Sequence, residues 1–135
     1  MIREIKLNGI GTSVVVDEKV AILNTTPHPI TFQSPAGEVF SVSTSVIINA
    51  EVEEEKVDEL FVKTVFKPTV GGEGVIKDIE GTYQGTGETA KLIIVGSIIA
   101  AQAYPGKVCG MTPVPGFERV PPAEKRMNCD KFTIF

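Results

Sequence analysis

Short runs of β-branched and other apolar residues, each ended by proline or glycine, dominate this chain of 135 residues. Nine prolines and thirteen glycines interrupt the sequence, and such frequent breaks favour short strands and turns over long helices. A chain of this length suits one domain. We therefore expect a single domain over residues 1–135, of the α+β class, mainly antiparallel β-sheet with one short helix.

The stretch ILNTTPHPITF, residues 22–32, places the one histidine, His28, between Pro27 and Pro29. The runs Val14–Val16 and Val20–Leu23 before it predict two strands, and the letters ITF after it predict a third. Two interpretations are open: a tight corner in a β-protein, or a corner that presents a side chain to a ligand. We prefer a corner in which His28 is structural rather than catalytic.

The middle of the chain combines acidic, strand-like and glycine-rich segments. Residues 38–59 carry seven acids against Lys56, which we interpret as a solvated surface rather than a metal site. Leu60–Phe66 is rich in Val, Phe and Thr and alternates, so a strand is expected there. The segment of residues 68–89, with six glycines, lacks a complete nucleotide-binding motif and is predicted to be a mobile loop. We expect a turn at SPAG, residues 34–37, preceding a strand or two over residues 38–53.

The segment KLIIVGSIIAAQAYPG, residues 91–106, predicts a buried strand followed by a short helix. Leu92–Val95 is the strand, Ser97 is a good helix N-cap, and Pro105 and Gly106 close the helix over residues 97–104. A helix start can attract an anion. The alternative, which we prefer, is that Ser97 only caps its own helix.

Charge and cysteine content limit the possible partners. The formal net charge of −4 argues against a partner of duplex nucleic acid. The longest apolar run is about half of the ~20 residues that a membrane span needs, so we expect no membrane partner. The chain also starts without an apolar signal segment, which favours a cytoplasmic location. Cys109 and Cys129 are expected to be reduced structural thiols, with no metal site and no cofactor.

Signatures of catalysis are few, and no catalytic residue is assigned. Binding signatures are stronger in the proline-rich end of the chain, where Phe117 and Arg119 precede Lys125 and Arg126. An aromatic ring beside guanidinium groups suits a nucleotide, because the ring can stack on a base while arginine bonds phosphate oxygens. The alternative is that Phe117 packs into the core and the arginines pair with Glu118, Glu124 and Asp130.

Three segments resemble a family of small phage proteins. LNTTPHPITF resembles the Asn-Leu-Thr-Pro-His-Pro element of that family, with Thr25 in place of leucine, and IIVGSIIAAQA and the proline- and arginine-containing end resemble its other shared segments. Together they cover about half of the chain. Within this group, the whole chain resembles the first family of phage anti-defence proteins directed against Thoeris, a bacterial immune system based on TIR domains.

The resemblance implies a non-enzymatic function. Such proteins bind cyclic ADP-ribose isomers of the glycocyclic type and sequester them uncleaved, as homo-oligomers in the cytoplasm of the bacterial host. It implies Arg119 and Arg126 as phosphate ligands, with Lys67 as a further cation, Phe117 and Tyr104 as stacking residues, and Asn24 and His28 either shaping the corner or bonding a ribose. The other hypotheses are an enzyme that degrades a cyclic nucleotide, and a phage structural or adaptor protein without a small ligand.

Overall fold

The computed structural model describes all 135 residues and contains ten strands, two α-helices and one 3-10 turn. The strands form three sheets, so the predicted α+β class with mainly antiparallel sheet is confirmed. The strands are β1 (Ile2–Leu7), β2 (Gly11–Val16), β3 (Val20–Asn24), β4 (Ile30–Gln33), β5 (Val39–Val42), β6 (Ala50–Lys56), β7 (Val62–Pro68), β8 (Lys91–Val95), β9 (Gly110–Pro113) and β10 (Met127–Thr133); the helices are α1 (Val70–Gly85) and α2 (Ile98–Ala103), and the 3-10 turn is Pro122–Glu124.

The three sheets differ in their exposure. A central sheet has the strand order β1-β2-β3-β8, an outer sheet has the order β5-β4-β10-β9, and β6 pairs with β7 alone in a hairpin that we call the arm. Two neighbouring pairs, β3 with β8 and β4 with β10, are parallel, and the other pairs are antiparallel. The first two sheets therefore place residues from both ends of the chain side by side.

The strands β2, β3 and β8 of the central sheet pack on both faces, which explains their short uninterrupted apolar runs. Successive side chains of a strand point to opposite faces. Accordingly, Val14 and Ile22 pack in a core shared with the outer sheet, through Phe32. Val15 and Leu23 pack on the other face, in the core that also contains residues of both helices. The order of the layers is therefore helices, central sheet and outer sheet, an arrangement with two apolar cores.

The glycine-rich segment was predicted to be a mobile loop, and this prediction is wrong. Residues 70–85 form α1, and Thr69 caps it by accepting a hydrogen bond from the Gly72 amide at 2.9 Å. Ile76, Ile79 and Tyr83 occur at helical spacing and are buried against the central sheet. The free energy of burying these side chains outweighs the cost of about 1 kcal/mol that each interior glycine adds to a helix.

The strand and helix after α1 lie where the sequence predicted them. β8 covers the predicted strand, and the Ser97 hydroxyl caps α2 by accepting from the Ala100 amide at 3.1 Å. The predicted short helix is therefore confirmed, and α1 is a second helix that the sequence did not reveal. Neither helix combines the length and apolar character that crossing a membrane requires.

The arm confirms two further predictions. The strand expected at residues 60–66 is β7, shifted by two residues toward the carboxyl end. The segment before it divides into β5 and β6, and Glu51, Glu53, Glu54 and Glu55 are solvent-exposed on β6. These carboxylates are exposed, as predicted, and they lie on a strand. Cys109 and Cys129 are free thiols buried between the two larger sheets, as the sequence also indicated.

Candidate functional site

The segment of residues 114–126, which we call the tail loop, connects two adjacent strands and is closed at its base. β9 and β10 are antiparallel, with Pro113 opposite Met127. The Val114 amide donates to the Arg126 carbonyl at 2.9 Å, and the Phe117 amide donates to the Val114 carbonyl at 2.9 Å. Further along, the 3-10 turn at Pro122–Glu124 follows a proline. The loop is therefore held at both ends and stiffened inside, which lowers the entropy lost on binding.

Arg126 lies over the ring of Phe117, with its guanidinium carbon 4.8 Å from the ring centroid. Its Nη1 also donates to the Oε1 of Gln33, on β4, at 2.9 Å. A guanidinium in this position over an aromatic face gains about 0.5–2 kcal/mol, depending on its exposure. The contact and the hydrogen bond together orient Arg126 while leaving other N–H donors of the fork for a ligand.

The alternative arrangement expected from the sequence is not found. None of the six ion pairs of the protein joins an arginine of the tail loop to Glu118, Glu124 or Asp130. Glu118 instead accepts a hydrogen bond from the Gly116 amide, within the loop. Phe117 is half-buried and belongs to neither apolar core. Phe117 is thus not part of either core, and the guanidinium of Arg126 lies over its ring.

Two shallow grooves adjoin this pair on the surface of the outer sheet. The first, which we call the arginine groove, has a volume of about 370 Å³ and is lined by Thr31, Val39, Phe117, Ala123, Glu124, Lys125 and Arg126. The second, which we call the methionine groove, has a volume of about 200 Å³ and is lined by Pro29, Ile30, Thr31, Met111, Pro122, Ala123, Lys125 and Met127. The first volume lies within the range of small-molecule sites.

The arginine groove has the chemistry of an anion site beside an aromatic surface. Lys125 and Arg126 supply two positive charges against the single carboxylate of Glu124. Guanidinium binds phosphate through paired hydrogen bonds, and ammonium binds it as a point charge. A phosphate can therefore be held by the two cations while a base or sugar contacts Phe117 and Val39. The sequence already indicated Lys125 beside Arg126, but it did not indicate Thr31 and Val39, which only the fold brings here.

Arg119 lies in the same loop but apart from this pair. Its side chain is exposed, it takes part in none of the six ion pairs, and it does not line either groove. The structure thus brings together Phe117 and Arg126 from the predicted set, and it leaves Arg119 as an unpaired cation nearby in the chain.

Asn24 organises the corner that leads toward these grooves. Its side chain is fully buried, and its Nδ2 donates to the carbonyls of His28 and Val42 at 2.8 and 3.1 Å. Its Oδ1 accepts from the amide and the hydroxyl of Thr26 at 2.8 and 2.7 Å. Four hydrogen bonds therefore use its amide fully, so the corner-shaping role is the one that this geometry supports.

The imidazole of His28 is exposed, and its contribution to the corner is made by its backbone carbonyl, which accepts from Asn24 Nδ2 and lies 3.0 Å from the Thr26 hydroxyl oxygen, whose single proton it shares with Asn24 Oδ1. The neighbouring Pro29 lines the methionine groove. The corner therefore borders the methionine groove through Pro29, but the Asn24 side chain lines neither groove.

Tyr104 and Lys67 lie elsewhere in the fold. Tyr104 is buried, its hydroxyl donates to the Asn49 carbonyl at 2.6 Å, and it accepts from the Thr69 amide at 2.9 Å. Lys67 is on the arm and pairs with Glu53 at 2.7 Å, and this bond raises the pKa of the lysine. Neither residue lines the arginine or the methionine groove.

The thiols and carboxylates form no recognisable reactive group. No cluster of three or more His, Cys, Asp or Glu side chains is placed to hold a metal ion. Burial raises the pKa of the Cys109 thiol to about 11 and also raises the pKa of Cys129. Because the thiolate is the nucleophile, both cysteines are poor nucleophiles at neutral pH.

Comparison with protein-family models, with curated proteins and with solved structures finds no match to this chain.

Proposed function

We propose that this protein binds a cyclic ADP-ribose isomer and sequesters it without cleaving it, so that a TIR-based immune signal in the host cytoplasm does not reach its effector. The observation that carries the proposal is Arg126, held over Phe117 in a groove that also contains Lys125. A cyclic ADP-ribose combines a diphosphate with a base and two sugars, so it needs both cations and an aromatic or apolar surface.

The chemistry of the groove favours capture over cleavage. The side chains that line it include no histidine, cysteine or aspartate, and its one carboxylate, Glu124, is exposed. General acid–base catalysis needs a group whose pKa is tuned near neutrality and which reaches the reacting atom. Lysine and arginine at an exposed groove bind phosphate well and are poor proton donors at neutral pH.

The other residues that the sequence and the resemblance assigned to ligand binding have different roles in this proposal. Arg119 is exposed, forms no ion pair and does not line the arginine groove, so its assignment as a phosphate ligand rests on the family resemblance alone. Asn24 and His28 shape the corner beside the grooves. Tyr104 and Lys67 lie outside the grooves of one copy, so a part for either in this site requires a contact from a second copy of the chain.

The test is incubation of the protein with a purified cyclic ADP-ribose of TIR origin, followed by heat denaturation and mass spectrometry of the released compound. Sequestration predicts uptake from solution and full recovery of the unchanged compound. Recovery of hydrolysed products would identify an enzyme. A titration without uptake of any cyclic isomer would favour a structural or adaptor protein without a small ligand.

A further inference from the structure

Gln33 bonds one end of the Arg126 guanidinium from outside the arginine groove. Arg126 Nη1 donates to Gln33 Oε1 at 2.9 Å, and Gln33 is not among the side chains that line the groove. β4 and β10 are parallel neighbours in the outer sheet, with Gln33 opposite Asn128, just beyond Arg126. The pairing of these strands therefore brings the Gln33 amide to the base of the tail loop.

The bond to Gln33 uses one particular end of the guanidinium. A guanidinium has five N–H donors, one on Nε and two on each terminal nitrogen. Neither Nε nor Nη2 of Arg126 donates to a group of the protein, and Arg126 takes part in no ion pair. The Nε–H and one Nη2–H are parallel and share one edge of the plane, an arrangement that fits two oxygens of a single phosphate.

The Phe117 ring covers one face of the same guanidinium, with the guanidinium carbon 4.8 Å from the ring centroid. Together, the ring and the bond to Gln33 restrict the long side chain of Arg126 in the folded protein. An arginine that is free in solution loses much rotamer entropy when it binds a ligand. Because Arg126 is already restricted, it loses less of this entropy when an anion binds.

The partner of Nη1 is a neutral amide, which leaves the charge of Arg126 uncompensated. Arg3 in the same protein shows the opposite arrangement. Its Nε donates to Glu18, and its Nη1 and Nη2 donate to Glu88, so carboxylates occupy every edge of that guanidinium. Arg3 is therefore committed to structural ion pairs, whereas Arg126 keeps one complete edge and its full charge.

We infer that Gln33 is a positioning residue for anion binding. By bonding Nη1, it orients Arg126 so that the Nε–Nη2 edge is the pair of donors that binds two oxygens of a phosphate. This role rests on the proposed function of the arginine groove as a phosphate site, and it assigns the atoms that form the bonds. Gln33 itself does not touch the ligand and acts only through Arg126.

The first experiment measures the Kd of inorganic pyrophosphate and of a cyclic ADP-ribose by titration calorimetry. Gln33→Ala should weaken binding of both by about three- to tenfold, because Arg126 then loses more rotamer entropy on binding. Gln33→Asn, whose amide is one methylene shorter, should behave in the same way. Gln33→Glu should weaken binding by at least about tenfold, since the new carboxylate pairs with the guanidinium and offsets its charge.

Gln84→Glu is the control for the added charge. Gln84 is exposed on α1 and its side chain forms no hydrogen bond, so this variant should bind both ligands like the wild type. Circular dichroism and thermal melts verify that each variant folds. The Gln33 backbone carbonyl, which accepts from the Cys129 thiol, is retained in every Gln33 variant.

Two further measurements separate positioning from a general effect on the fold. If Gln33 acts only through Arg126, Gln33→Ala should not change Kd further in the Arg126→Ala background. By nuclear magnetic resonance, the Nε–H signal of Arg126, assigned by its loss in Arg126→Lys, should shift when pyrophosphate is added. An unshifted signal at saturation, or an undiminished effect of Gln33→Ala in the Arg126→Ala background, would overturn the assignment.

The two ligands distinguish this inference from the proposed function. A wild type that binds pyrophosphate but no cyclic ADP-ribose would refute the proposed function alone, because the Gln33 variants can still be compared with pyrophosphate. Gln33→Ala and Gln33→Glu variants that bind both ligands like the wild type would refute the positioning role alone. A wild type that binds neither ligand would refute both.

Discussion

Arg126 on the tail loop stacks its guanidinium on Phe117, nine residues earlier, and bonds Gln33 on β4, the strand that pairs with β10. This relationship links the tail loop to β4, which lies 93 positions earlier in the chain. Arg126 therefore has two uses that can be separated by experiment, a structural contact and a charge that faces the arginine groove. The two roles differ in free energy, since a partly exposed cation–π contact contributes less than hydrogen bonds from a guanidinium to a phosphate.

Replacing Arg126 with alanine should weaken binding of a cyclic ADP-ribose at least tenfold. Hydrogen bonds to charged groups contribute about 1.5–3 kcal/mol each, and tenfold in Kd corresponds to about 1.4 kcal/mol. Arg126→Lys should recover only part of the loss, since an ammonium cannot reproduce the planar fork. Titration calorimetry measures both variants, with thermal melts to verify folding. Arg119→Ala tests the second proposed phosphate ligand and should also weaken binding at least tenfold. If both alanine variants bind like the wild type, the tail loop is not the phosphate site.

Gly72→Ala should destabilise the protein by about 1–3 kcal/mol through overpacking. A Cβ at this position would come within 2.7 Å of the Asn49 carbonyl and would collide with the Tyr104 hydroxyl. Gly74→Ala, in the same helix with open space around it, is the control and should stabilise by up to about 1 kcal/mol. Urea denaturation of the two variants gives the comparison. Equal effects of the two substitutions would show that Tyr104 does not pack against α1 in this way.

Asn24→Ala should cost at least about 2 kcal/mol of unfolding free energy. The substitution leaves the Val42 carbonyl and the Thr26 amide without their buried side-chain partner, and each such loss costs about 1–3 kcal/mol, whereas the Thr26 hydroxyl can still donate to the His28 carbonyl. His28→Ala should change stability by less than about 0.5 kcal/mol, because the imidazole is exposed and the backbone carbonyl remains. A large loss on His28→Ala would show that the ring itself holds the corner.

Glu88→Gln should reduce the loss of stability in acid. Arg3 bonds Glu88 through both guanidinium ends, which lowers the pKa of the carboxyl from its usual 4.5. A lowered folded pKa means that the ion pair stabilises the protein above about pH 4.5 and that this stabilisation disappears as the pH falls through the folded pKa. Melting temperatures between pH 6 and 3 measure the slope. Glu4→Gln, which removes an exposed carboxyl outside the six ion pairs, serves as the control and should leave the slope unchanged.

Neither thiol should react rapidly with an alkylating or disulfide reagent in the folded protein at pH 8. Cys109 and Cys129 are buried, and burial raises both pKa values, so little thiolate is present. Two thiols should titrate after unfolding in guanidinium chloride. One fast-reacting thiol in the native protein would mean that the outer sheet opens over the core that it shares with the central sheet.

The sequence predicted elements well where a single local rule applied. The sequence predicted a strand at Val14–Val16, a buried strand at Leu92–Val95 and a helix cap at Ser97, because each prediction depends on neighbouring residues alone. The helix at residues 70–85 was missed because its glycines lower the helical propensity of the segment. The burial of Ile76 and Ile79, which compensates for this low propensity, depends on the central sheet and cannot be inferred from the segment alone.

The candidate site was predicted in part. Phe117 and Arg126 stand close in the chain, and the pairing of an aromatic ring with a guanidinium follows from composition. The grooves beside them also require Thr31 and Met111 from other strands, and no sequence pattern identifies these residues. The parallel pairing of β4 with β10 brings Thr31 there, and such a long-range pairing depends on the whole apolar pattern of the chain.

By itself the sequence determined the class of the fold, the positions of most strands, the cap of α2 and the chemistry of the tail loop, since these follow from propensity, turn residues and charge over a few neighbouring positions. Only the tertiary structure decided that the glycine-rich segment is a helix, that Asn24 is consumed by four hydrogen bonds, and that Lys125 stands between two grooves. The physical reason is that burial and hydrogen-bond satisfaction are properties of contacts between distant segments, and their free energies exceed local propensities whenever the two disagree.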